Sequence, residues 1–311
     1  MILSTDRYDA DGILTRLPHR FENVLLDQVD CIKTDVDTRG KFSVTFSPDQ
    51  PRAIFLQEID DGKFGIIRTA CMEILALASI ICTDYPDDGV IIFASISNFV
   101  VNGDLPEGTL LTGEVVKLKG KGNFVRCRGF IGTAVDPQLA SGELMAFVIP
   151  KAQLADHAST PKIVDIPTLT HTIPIDPSAF HKSPDMVICD QIRKPYSDGT
   201  IVGQYQYPAT HPLTRGHFPG NPIMMGIMQM LAIEDICTVT FAQDETTIGK
   251  IVAGQCQIIR SDGALIAEIK NFEVEINADR SSFLSTKKVV FRESIRPKDT
   301  FLIYLYDITV T

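Results

Sequence analysis

The chain has 311 residues, 44% of them hydrophobic and 22% charged, which is the balance of a globular protein long enough for two ordinary cores. Its formal net charge of −10 excludes nucleic acid as the main partner, since phosphate binding needs a basic surface. Charges interrupt the first residues, so no secretion signal is read there, and the longest nearly apolar run, Ala70 to Cys82, is too short to span a bilayer. A cytoplasmic protein without a membrane span is expected.

In chain order, an apolar run ending in Asp27-Gln28-Val29 leads to a turn, Thr38-Arg39-Gly40, and a strand-like stretch from Lys41 to Phe46. A glycine-bearing loop at Gly62 precedes a long apolar segment, Ile66 to Cys82. Four strand-like runs follow: Gly89–Val101, Leu110–Leu118, Asn123–Val135 and Gly142–Ile149. The stretch from Ala155 to Pro184 is dense in Pro, Ser, Thr and Asp and reads as a linker.

The same order then repeats. Val187 to Ile192 ends in Asp190-Gln191-Ile192. A turn at Ser197-Asp198-Gly199, a run from Thr200 to Tyr207, a loop at Gly220 and an apolar segment from Pro222 to Phe241 come next. Pro222 suits a first helical turn, where its missing N–H costs nothing. Four more strand-like runs, roughly 250–260, 264–276, 283–292 and 300–310, include an Asp262-Gly263 hairpin signal. Helices apolar on all sides must be buried. The expected class is therefore α+β, with two copies of one long central helix wrapped by a curled antiparallel sheet. The expected boundaries are 1–154, a linker at 155–184, and 185–311.

The segment Arg215-Gly216-His217-Phe218-Pro219-Gly220-Asn221-Pro222-Ile223-Met224-Met225-Gly226 resembles the signature of the bacterial 3-hydroxyacyl-ACP dehydratases (FabZ/FabA type, hotdog fold). Met225 departs from it, where that family usually has proline. The resemblance implies a tandem double hotdog and a lyase of fatty-acid or related lipid metabolism. Family members pair the His of one subunit with an acid on the helix of the other. In the second copy the acid position is Leu231. In the first copy it is Glu73, and Ile59 stands where the His should be. One offset of 158 residues relates Ile59 to His217, Gly62 to Gly220 and Glu73 to Leu231. Each copy thus keeps the half of the dyad that the other lacks, and the resemblance implies one complete site in an internal pseudo-dimer.

Dehydration needs a base, an acid for the departing hydroxyl and a donor to the thioester carbonyl. His217 is expected as base, because imidazole titrates near neutrality. Glu73 is expected as acid, since an apolar helix disfavours its charged form. Gly226 matches the family's backbone donor to the thioester oxygen; the first copy has Arg68 there. Phe218, Pro219 and Gly220 are expected to shape the substrate loop. Glu234 is a weaker rival acid, and His211 is expected to line the loop.

The seven cysteines are scattered without Cys-x-x-Cys and the six histidines do not cluster, so buried free thiols and neither metal nor cofactor are expected. Lys117, Lys119, Lys121, Arg126 and Arg128 are read as a basic strand face that suits an acidic carrier protein. Acyl-carrier-protein or CoA thioesters are the expected substrates, and further homo-oligomerisation stays open. The alternatives are enoyl-CoA hydration and a non-catalytic acyl-binding or scaffold subunit.

Overall fold

The computed structural model describes residues 2–83, 89–118, 124–150, 160–166, 171–193, 199–278 and 280–311. Lys119, Lys121, Ser197, Asp198 and parts of the expected linker lie outside them.

The first half opens with strand β1 (Ile2–Tyr8) and the short helix α1 (Ala10–Arg16). Asp9 caps α1 by accepting from the Gly12 N–H at 3.0 Å. Pro18 ends it, because the residue before a proline is held out of helical geometry, and Leu17 is indeed extended. Strands β2 (Gln28–Thr34) and β3 (Thr38–Val44) follow. The loop expected around Gly62 is instead a hairpin, β4 (Leu56–Asp60) and β5 (Lys63–Ile66), turned at Gly62 with φ +68°. Then come helix α2 (Ala70–Ile81) and strands β6 (Gly89–Val101), β7 (Leu111–Leu118), β8 (Phe124–Gly132) and β9 (Ala140–Pro150).

The second half has β10 (Thr172–Pro174), β11 (Gln191–Arg193), β12 (Ile201–Gln206), helix α3 (Ile227–Phe241), and β13 (Ile251–Arg260), β14 (Leu265–Ile276), β15 (Ser281–Phe291) and β16 (Thr300–Val310). Helix α3 begins at Ile227, so Pro222 precedes it by five residues instead of standing in its first turn. Residues within the expected linker contribute edge strand β10, which pairs with β11.

Every strand except β4 and β5 joins one antiparallel sheet, in the order β1-β2-β3-β7-β8-β9-β6-β15-β14-β13-β16-β12-β11-β10. The halves meet at β6 against β15, with Ile96 opposite Val289. The class is α+β, and a long helix packed on an antiparallel sheet fits a hotdog build. All twelve residues of α2 are buried, as are Ile227 to Cys237 of α3, where the polar Gln229, Glu234 and Asp235 are buried with their apolar neighbours. The two helices also touch each other, and side chains of both halves form one core.

The repeat is not reproduced in the strand pairing. In the first half the strand directly after the helix, β6, takes the central seam. In the second half the third strand after the helix, β15, takes it, and β16 returns beside β12. The basic face is also corrected. Lys117 lies opposite Cys127 in the ladder, so it shares that residue's inward side. Arg126 and Arg128 project to the other side, where both pair with Glu143 at 2.9 and 2.7 Å. All seven cysteines are free and buried. Among the described residues no helix is long and apolar enough to cross a membrane.

Candidate active site

The loop before α3 is a short 3-10 turn, Pro212–Arg215, capped by His211. His211 is buried, and its ring bonds the Asp185 carbonyl at 2.7 Å and the Leu213 N–H at 3.2 Å. It holds the loop and lies outside the cluster described below. His217 follows this turn, its N–H donating to the Leu213 carbonyl at 3.0 Å while its own carbonyl accepts from Ile223 at 2.8 Å. Its Nδ1 lies 3.0 Å from the Ile223 carbonyl oxygen. A carbonyl only accepts, so Nδ1 carries the proton and Nε2 keeps its lone pair. Phe218 stacks on the ring at 4.2 Å and fixes its plane. Phe218 is half-buried, whereas Pro219 and Gly220 are exposed, Gly220 at φ +77°.

Glu73 lies near the start of α2, in the other half. The two halves are fastened beside it. The Arg20 N–H donates to the Gly216 carbonyl at 3.1 Å and the Asn23 side chain to the Leu213 carbonyl at 3.2 Å. The Arg215 guanidinium pairs with Glu22 and sits 4.8 Å over the Phe21 ring. Gly216 is required for this approach, since a Cβ there would stand 2.0 Å from the Arg20 carbonyl oxygen.

The fastening brings together three side chains. His19, Glu73 and His217 each present one donor atom, all within 4.8 Å of one another, at 3%, 9% and 8% exposure. His19 Nε2 is 3.6 Å from Glu73 Oε1, and its ring centroid is 5.1 Å from that of His217. Burial dominates the electrostatics. It pushes the Glu73 carboxyl up to about 7 and lowers His217 to about 4, with the Ile223 carbonyl offsetting only part of the latter. His19 falls well below its ordinary value through burial, then the neighbouring His217 and Arg20. Near neutral pH the cluster therefore holds two neutral imidazoles and a carboxyl that is about half protonated, where an exposed one would be fully ionised. By spacing, these three residues also form a set that could take a metal ion.

His217 and Glu73, expected from opposite halves, are thus placed together. Gly226 is the N-cap of α3, and a Cβ there would meet the Phe291 ring at 2.8 Å. Leu231 is fully buried, and Ile59 packs over Gly65 within the β4–β5 hairpin. Glu234 is engaged elsewhere. Its Oε1 accepts the Phe283 N–H at 2.8 Å, and burial raises it to about 7 against the pull of Lys182. His19 was missed from sequence. Only its place after Pro18, ahead of the apolar run at Val24, could have drawn notice.

No family model matches the chain, and no curated protein does. Solved structures similar to it include "The Dehydratase Heterocomplex ApeI:P from Xenorhabdus doucetiae", at 21% identity over 46% of this chain and 95% of that one, with a TM-score of 0.38. Two dehydratase domains of the curacin polyketide synthase also resemble it. The CurF domain is 13% identical over 94% of this chain and 100% of that one, with a TM-score of 0.46. The CurK domain is 14% identical over 88% and 92%, with a TM-score of 0.45.

Proposed function

We propose that the chain is a double hotdog, with units at 1–154 and 185–311, that removes water from 3-hydroxyacyl thioesters carried by acyl carrier protein. The observation that carries this reading is the meeting of His217 and Glu73, one from each half, in a buried cluster where the imidazole is neutral and burial lets the carboxyl keep its proton up to about pH 7. Those are the forms a base and an acid must hold before dehydration.

In this reading His217 Nε2 takes the proton from C2, and the electrons of that C–H bond form the double bond to C3. The C3–O bond breaks as Glu73 gives its proton to the leaving hydroxyl, which departs as water. Gly226, at the N-terminus of α3, offers its N–H to the thioester oxygen, where negative charge develops. Imidazolium and carboxylate arise together, so each stabilises the other in a site with little water. Phe218, Pro219 and Gly220 frame the approach to His217.

The test is to incubate the purified chain with a 3-hydroxyacyl carrier-protein thioester and follow loss of water by mass spectrometry. Formation of the enoyl thioester supports the proposal. Tight binding without conversion makes the chain a non-catalytic acyl-binding subunit. Conversion of the CoA thioester alone moves the substrate class to CoA.

A further inference from the structure

His19 is buried against the acid of the cluster, yet the dehydration steps above give it no part. Resting on that reading, we propose that His19 is a positioning residue that donates its Nε2–H to Glu73 and stabilises the carboxylate left when Glu73 surrenders its proton.

The geometry supplies the direction of this bond. His19 Nε2 stands 3.6 Å from Glu73 Oε1, a few tenths of an ångström outside hydrogen-bond length. His19 Nδ1 is buried without a partner. A buried orphan N–H is rarer and costlier than a buried orphan acceptor, so the proton belongs on Nε2, facing Glu73. The ring packs against the stacked pair of His217 and Phe218, whose centroids lie 5.1 and 4.9 Å away. Its backbone is clamped by Arg20, which donates to the carbonyls of Leu17 and His19 at 2.6 Å.

The second half carries an independent counterpart. His19 and Lys182 both stand five residues before an apolar run, at Val24 and Val187. Lys182 donates to Asp235 on α3, its own half's helix, as His19 faces Glu73 on α2. The two differ in charge, and that difference carries the chemistry. A lysine holds its carboxyl partner ionised. The N–H of a neutral imidazole donates weakly to the carbonyl of a carboxylic acid and more strongly to a carboxylate, so it contributes most when Glu73 has lost its proton. Burial, with His217 and Arg20 nearby, keeps His19 neutral. Among the described residues the titratable groups facing Glu73 are His19 and His217. Cys71, two residues before Glu73 on α2 and turned to the other side of the helix, stays a thiol because burial pushes it up to about 12.

The experiment uses the full chain with His19→Leu, which removes the donor, and His19→Gln, whose amide N–H stands near the position of Nε2. His19→Leu should lower kcat by about tenfold to a hundredfold with KM within about twofold, and His19→Gln should recover most of the loss. Independently of turnover, the Glu73 carboxyl is titrated by 13C NMR, its signal assigned by its disappearance in Glu73→Gln. The midpoint should rise by about one unit in His19→Leu and return in His19→Gln. An unmoved or lower midpoint overturns the proposal while leaving the dehydratase reading intact. A raised midpoint in a chain that turns over no hydroxyacyl thioester sinks the dehydratase reading and keeps the His19–Glu73 bond. If His19→Leu does not fold, 15N spectra of the unaltered chain decide: a proton on Nε2 of His19 is expected, and a proton on Nδ1 overturns the proposal.

Discussion

Replacing Glu73 by Gln should abolish turnover and at the same time make the protein more stable above neutral pH. The carboxyl is raised from 4.5 to about 7 by burial, so the folded state holds a proton that the unfolded chain has released. Between those values the native state binds more protons than the unfolded one, and stability falls as pH rises. Below about pH 4.5 the effect vanishes, and above about 7 it is complete. The displacement of roughly 2.5 units corresponds to about 3 kcal/mol at most. A buried amide that finds only part of its hydrogen bonding costs some of that back, which leaves a gain of about 1–3 kcal/mol at pH 8. Urea denaturation of the wild type and Glu73→Gln at pH 4 and pH 8 measures it. A variant equally or more destabilised at pH 8 than at pH 4 would refute the claim that Glu73 rests as a neutral acid.

Other outcomes follow from the same geometry. The pH profile of kcat/KM should be bell-shaped, falling below about pH 4 as His217 gains a proton and above about pH 7 as Glu73 loses one; activity that climbs through pH 7 would reverse the assignment of acid. Gly216→Ala should lower stability by about 1–3 kcal/mol, because a Cβ 2.0 Å from the Arg20 carbonyl oxygen forces the halves apart, and calorimetry that finds no change would contradict the clamp. Dialysis against a chelator should leave turnover unchanged, whereas loss restored by added metal would make His19, Glu73 and His217 ligands.

The helices and long strands were legible because their signals are local. An apolar segment such as Ala70 to Ile81 has to be buried, and alternation in 251–260 and 265–276 marks strands around the Asp262-Gly263 turn. Pairing order was not legible. Alternation says which face of β15 is inward, but nothing about whether β15 or β13 lies beside β6, so the second half's departure from the first stayed hidden. The start of α3 was misread from Pro222, because a proline five residues early still fits a loop running into a helix.

The proximity of His217 and Glu73 was legible from a motif and a constant offset, each tied to one position. His19 was not. Its place depends on Pro18 ending α1 and on the contact of residues 20–23 with 213–216, which join segments nearly two hundred residues apart. A lone histidine in a short extended link carries no periodic or motif signal of that contact.

The central claim is one productive site per chain, with His217 as its base. The most direct measurement treats the chain with an acyl thioester inactivator that alkylates the catalytic histidine of a dehydratase, then maps and counts the adducts by peptide mass spectrometry. One adduct per chain, on His217, with turnover falling in proportion, is the predicted result. An adduct on His19 in its place, or two per chain at full inactivation, would contradict it.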